Sequence, residues 1–116
     1  MGIRYATISK TGRRHNNEDT FKVIDTPENN RFMGIVCDGM GGHSFGETAG
    51  ETVCNAIADF WEKHSTTPDR DSKVKLACKK ASCAIDQKAY ELHHAEMATT
   101  MVMISIENDI ATICLV

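Results

Sequence analysis

The chain has 116 residues, 41% of them hydrophobic and 25% charged, and a formal net charge of −3. That balance fits one small domain, or part of a larger one, with a packed core, and it excludes wholesale disorder. Acids and bases are interspersed with no basic stripe, which speaks against a nucleic-acid partner, and no apolar run reaches the length of a membrane span.

The opening Met1-Gly2-Ile3-Arg4-Tyr5 does not have the layout of a signal peptide, and Ala6 stands where a myristoylation signal needs Ser or Thr. Residues 2–9 alternate loosely and predict a strand. Thr11 to Asp19 is polar and holds a glycine, so it reads as a loop. Thr20 to Ile24 predicts a short strand, and Pro27-Glu28-Asn29-Asn30 a turn with Arg31 at its polar edge. Phe32 to Cys37 is apolar apart from Gly34, the pattern of a strand buried on both faces.

A helix is expected next, with Ala49, Val53, Ala56, Ile57, Phe60 and Trp61 on one stripe and Ser65-Thr66-Thr67-Pro68 ending it. A second helix is expected from about Ser72 to His94. Its stripe is Val74, Cys78, Ala81, Ile85, Ala89 and Leu92, with Asp71 or Ser72 as cap. The period then turns strand-like. Thr100 to Ile106 is rich in β-branched residues, Asn108-Asp109 can turn a hairpin, and Ile110 to Val116 returns. Runs of strands and of helices, not strict alternation, favour an α+β fold with helices packed on a largely antiparallel sheet.

The last apolar strand has neither turn nor polar tail after it. The expectation is a domain truncated within a strand, with roughly half of a larger domain absent or supplied by another chain. An uncovered strand of this kind also predicts self-association, for example a homodimer through that edge. The five cysteines, Cys37, Cys54, Cys78, Cys83 and Cys114, lie mostly in apolar segments. They read as reduced, hydrophobe-like side chains of a cytoplasmic protein. Cys78 and Cys83 would point to different faces of a helix, and no second pair follows at zinc-site spacing.

Three segments could carry chemistry: Arg14-His15-Asn16-Asn17-Glu18-Asp19, the turn from Asp38 to Glu47, and Met97-Ala98-Thr99-Thr100. In the second, an apolar run stops on Asp38 and breaks into Gly39-Met40-Gly41-Gly42-His43. An acid at a strand end beside a flexible turn presents oxygen ligands to a hard divalent cation. Two acid-bearing loops can converge at one sheet edge, where the carboxylates repel unless a cation neutralises them. A guanidinium such as Arg14 could then grip a phosphate through two parallel hydrogen bonds. Each segment also has a plain reading. Asn-Asn-Glu-Asp is a solvated loop and Arg14 a surface charge; Asp-Gly is a turn dipeptide. Gly41-Gly42 relaxes the start of a helix that Ser44 or Glu47 caps, and His93-His94 is an exposed helix end. The six methionines read as core filler.

Taken together, Arg14-x-x-Asn17-Glu18-Asp19, Val36-Cys37-Asp38-Gly39-Met40-Gly41-Gly42-His43-x-x-Gly46-Glu47 and Met97-Ala98-Thr99-Thr100 resemble, in order and approximate spacing, the opening motifs of the metal-dependent serine/threonine protein phosphatases of the PPM (type 2C) family in their bacterial form. The resemblance spans nearly the whole chain but only the N-terminal half of a family domain. It implies a portion of a four-layer α-β-β-α sandwich with two Mn²⁺ or Mg²⁺ ions at one end and a phosphoprotein as substrate. By the same resemblance Asp38 would bridge both metals and the Gly39 carbonyl would bind one. Glu18 and Asp19 would act near them through coordinated water, and Arg14 would hold the substrate phosphate. His43 would be either a proton donor or a structural residue at the helix entrance.

The chain departs from the family at Ala98, where glycine is frequent, and in lacking the later acidic motifs that supply further metal ligands. The expectation is therefore little or no phosphatase activity from this chain alone. A non-catalytic truncated domain that self-associates, or binds a partner through an uncovered sheet, is the alternative.

Overall fold

The computed structural model describes residues 3–8, 10, 19–26, 30–41, 45–63 and 70–116. Its elements are β1 (Asp19–Thr26), β2 (Arg31–Met40), α1 (Phe45–Lys63), α2 (Arg70–Glu91), β3 (Ala98–Glu107) and β4 (Ile110–Leu115). The strands form one antiparallel sheet in the order β1-β2-β3-β4. Both helices lie between β2 and β3 in sequence, and they pack on one face of the sheet. This is the expected α+β arrangement.

Alternation along the strands explains that packing. Met33, Ile35 and Cys37 of β2 and Met101 and Met103 of β3 are buried beneath the helices. From α1 come Val53, Cys54, Ile57, Ala58, Phe60 and Trp61, and from α2 Ala77 and Ala81, to complete one core. The α1 stripe matches the expected positions except that Ala56 is only half-buried. The opposite face of the sheet is open. Val36 and Met40 are 52% and 69% exposed, so β2 is not a strand buried on both faces. Helices cover only one side of it among the described residues.

Residues 3–8 do not form the expected strand. They lie across the open face instead, with the Tyr5 ring against Phe32, centroids 5.5 Å apart. Between this segment and Phe21, Val23, Val36, Val102, Ile104 and Ile113 runs a groove of about 640 Å³. Strands β1, β2 and β3 each extend beyond their expected ends. The run through Gly39 and Met40 stays extended because it keeps pairing with Thr99 and Ala98 of β3. Asp38 thus lies inside the strand, two residues before its last one.

Helix α2 begins at Arg70, ahead of the expected start, so Ser72 lies in its first turn and not at the cap. It ends at Glu91, short of His94. His93 and His94 both take left-handed backbone, φ 61° and 59°, and the Ala95 amide donates to the Ala89 carbonyl at 3.1 Å. That bond joins residues six apart and satisfies a carbonyl of the last turn that the helix itself leaves open. The β3–β4 hairpin turns on Asn108 and Asp109, φ 51° and 66°, as two left-handed residues of a type I′ turn require. Pairing continues past β4: Val116 exchanges two 3.0 Å backbone bonds with Met101.

Candidate metal centre

The register of the sheet builds this site. Asp38 of β2 stands directly opposite Asp19 of β1 on one side and Thr100 of β3 on the other. Directly opposed residues share a face, here the open one away from the helices, and both aspartates are exposed. Two like charges in that position destabilise a sheet by themselves. A hard cation removes the repulsion, and carboxylate oxygens are the donors it prefers. The residues present therefore fit a divalent oxygen-ligated ion in type. Among the described residues, no group of three or more His, Cys, Asp or Glu side chains gathers close enough to hold a metal.

Backbone packing fixes the row beside the aspartates. Gly39 is buried against the first turn of α1, so close that a Cβ there would lie 1.7 Å from the Gly46 carbonyl oxygen. Only glycine at position 39 lets the helix start this near the strand. The Thr100 hydroxyl reaches toward the Asp38 carbonyl at 3.4 Å, and the Thr99 hydroxyl donates to the Thr100 carbonyl at 2.9 Å.

Under Asp38, on the helix side, the Cys54 thiol donates to the Cys37 sulfur at 3.3 Å, and neither is exposed. That contact, together with burial, pushes Cys54 far up. The same hydrogen bond draws Cys37 down against the opposing effect of burial. The pair acts as packed thiols and offers no nucleophile to the open face.

Of the residues expected at the site, Asp38, Asp19 and Gly39 come together at one end of β2. Arg14, Glu18 and His43 lie outside the described residues, as do Asn17, Gly42 and Ser44. Sequence reasoning missed a second charged cluster at the other end of the sheet. Lys73 of α2 is 1% exposed, 2.8 Å from Glu107 and 4.2 Å from the centre of the Trp61 ring. Arg31 reaches Glu107 at 3.4 Å and donates to the Trp61 carbonyl at 3.3 Å. Its one sequence signal was Lys73 preceding Ala77 and Ala81 at four-residue steps, a cation on the buried face of a helix.

The fold and the acidic row define a class: an α+β domain that sets carboxylates together at one end of an antiparallel sheet. Residues 9–116 match the family described as Protein phosphatase 2C, and the chain belongs to that family. It is 40% identical over 50 residues to the serine/threonine phosphatase Stp of Listeria monocytogenes, an alignment covering 43% of this chain and 19% of that one. It is 28% identical to a protein of Mycoplasma pneumoniae described as a protein phosphatase, over 85% of this chain and 42% of that one. Among solved structures, the Mycobacterium tuberculosis serine/threonine phosphatase PstP superposes with a TM-score of 0.80 at 28% identity, covering 97% of this chain and 46% of PstP. A PstP catalytic domain in complex with two manganese ions gives 0.79, also at 28% identity, covering 97% and 47%. The chain thus spans less than half the length of these relatives. No helix among the described residues is long and apolar enough to cross a membrane.

Proposed function

We propose that this chain is the N-terminal part of a metal-dependent phosphatase domain acting on phosphoserine and phosphothreonine in proteins. The observation that carries the reading is the opposition of Asp19 and Asp38, two exposed carboxylates in one row of the sheet. Membership of the family and the manganese found in a solved relative support the choice of Mn²⁺ or Mg²⁺. Asp38 and the Gly39 carbonyl would hold the ions in this reading. Asp19 and its chain neighbour Glu18 hold coordinated waters in position. Arg14 binds the substrate phosphate, and His43 serves either as proton donor or as a structural residue where α1 begins.

When bound, two such ions supply a water activated near neutral pH and electrostatic stabilisation of the transferring phosphoryl group. What the residues of this chain contribute is orientation. The β2–β1 register fixes the distance between the acids, and the glycine contact with α1 fixes the end of the strand. Further carboxylates are needed to complete two coordination shells, so this chain alone turns over p-nitrophenyl phosphate little or not at all. Calorimetric titration with Mn²⁺ tests the assignment: the parent chain binds weakly, and Asp38→Asn abolishes the heat. Equal binding by parent and variant would remove Asp38 from the site.

The open face favours one alternative. Phe21, Val36, Val102, Ile113 and Leu115 are each at least 41% exposed on it, a large apolar surface for a soluble monomer. In this second reading the chain is non-catalytic and self-associates through that sheet. Sedimentation equilibrium distinguishes the two: a dimer that persists at low micromolar concentration and binds no Mn²⁺ supports the second reading over the first.

A further inference from the structure

Two cysteine pairs tie the helices to the sheet. Cys37 and Cys54 join β2 to α1 and are wholly buried. Cys78 of α2 and Cys114 of β4 form the second pair, with sulfurs 3.8 Å apart, and both are only half-buried. The pairs differ in access and in freedom to move. β4 is the outermost strand and pairs with β3 alone among the described residues. A small polar oxidant can reach a thiol at such an edge, whereas the first pair is shielded by the helices on one side and the sheet on the other. A disulfide needs sulfurs about 2.0 Å apart, so the second pair must close by roughly 1.8 Å. Side-chain rotation on α2 and a small shift of an edge strand held on one side provide that movement.

We propose that Cys78 and Cys114 are a reversible oxidation site, where a peroxide converts two thiols into a disulfide that ties α2 to the edge strand. In the first step the Cys114 sulfur attacks hydrogen peroxide. The O–O bond breaks, one oxygen leaves as water, and Cys114 becomes a sulfenic acid. In the second step the Cys78 sulfur attacks the Cys114 sulfur. The S–S bond forms, the S–O bond breaks, and the hydroxyl leaves as water with the Cys78 proton. Two thiols lose two electrons, the peroxide gains them, and two waters are released. A dithiol reductant reverses the change by thiol–disulfide exchange. Burial, and then the contact with Cys114, push the Cys78 thiol up to about 11. The second step quickens as pH rises toward that value.

The site is separate from the acidic row on the open face, because Cys114 stands opposite Met103, on the helix-facing side of the sheet. The bond would close a loop between residues 36 apart in sequence. Its expected consequence is resistance to unfolding, since the cross-link restricts the unfolded chain.

The experiment uses the full chain carrying Cys83→Ser, which removes the exposed thiol that would join two molecules. The folded protein is treated with stoichiometric hydrogen peroxide, unfolded, alkylated, digested and mapped by mass. The expected result is one cross-linked peptide pair containing Cys78 and Cys114, lighter by two hydrogens, with Cys37 and Cys54 recovered as alkylated thiols. The melting temperature rises by roughly 10 °C and returns on reduction. Cys114→Ser abolishes both the cross-linked peptide and the rise. Separate recovery of alkylated Cys78 and Cys114 would overturn the proposal. So would a Cys37–Cys54 cross-link in its place, or a covalent dimer through Cys114 as the main product.

Discussion

Two direct cross-strand pairs of charged residues stand at opposite ends of β2, and they differ in every respect that decides what a charge is for. Arg31 faces Glu107 on the helix side of the sheet, with side chains 14% and 13% exposed. Asp19 faces Asp38 on the open side, and both are exposed. The first pair has opposite signs and is closed over by Lys73 and Trp61. The second has like signs, in the one arrangement that a sheet does not favour unless something else binds there. A charge whose partner is already in the fold contributes to structure. Two carboxylates in register on an exposed face are placed where one cation can meet both. Charge alone does not mark the site; the sign of the partner and the depth of burial do.

The largest expected effect breaks the buried end. Glu107→Ala leaves Lys73 in the interior against the Trp61 ring without its carboxylate, and removing one partner of a buried pair costs about 3–5 kcal/mol. Urea denaturation reads this directly, as a fall in midpoint at unchanged slope. The double variant Lys73→Met, Glu107→Ala recovers part of the loss, because the buried lysine charge is gone and only Arg31, still bonded to the Trp61 carbonyl, lacks its carboxylate. Acid titration adds the sign. Burial pulls the Glu107 carboxyl up, but the hydrogen bond and charge of Lys73, joined by Arg31, outweigh it and hold its pKa below the ordinary glutamate value. A group depressed in the folded state stabilises above its unfolded pKa of about 4.3, and that contribution is lost as pH falls through the folded value. The parent therefore loses this stability in acid below about pH 4.3, and Glu107→Ala shows no such component. The Lys73 pKa is lowered as well, but there the shift works against the charged form: burial costs its cation more than Glu107 returns.

A second, smaller effect tests how the open end is held. No buried ion pair among the described residues fixes the end of β2 there; contact between two glycine backbones does. In Gly39→Ala the new methyl collides with the Gly46 carbonyl, and the first turn of α1 must move away from the strand. Overpacking of that kind costs about 1–3 kcal/mol. The diagnostic readout is hydrogen exchange. Amides of the first α1 turns lose protection while those of the β3–β4 hairpin keep theirs. Uniform loss across the chain would mean that the glycine contact is not local to the site end.

How much of this was legible in the sequence follows the same division. The α1 stripe, the Asn108-Asp109 turn and the antiparallel α+β order could be read because each rests on local periodicity or local backbone chemistry. Residues 3–8 misled because loose alternation suits a segment lying on an apolar face as well as a strand. The open face of β2 could not be foreseen, since an apolar run says that a strand can be buried twice and not that two layers are present to bury it. The end of α2 was missed because two consecutive left-handed histidines are rare, and no residue type announces them. At the site, Asp38 and Asp19 were identified as candidates from their neighbours in sequence, but their opposition is a matter of register, which pairing across 18 intervening positions alone decides. Lys73 was hidden because its partners Glu107 and Trp61 come from other elements, and a buried lysine makes sense only once both are in place.

The smallest expected effect is the sharpest for the comparison, because its sign is opposite to the others. Asp38→Asn keeps the shape of the side chain and removes one of the two facing charges. In the presence of a chelator it gains stability, by about 0.2–1 kcal/mol, the size of a like-charge cross-strand term. In excess Mn²⁺ the order inverts, because binding to the folded parent adds stability that the variant cannot acquire. Two urea curves for each protein, with EDTA and with Mn²⁺, decide the matter. If Asp38→Asn instead loses stability in chelator as Glu107→Ala does, then Asp38 is a structural residue, and the distinction between the two ends of β2 fails at the residue on which the metal site depends.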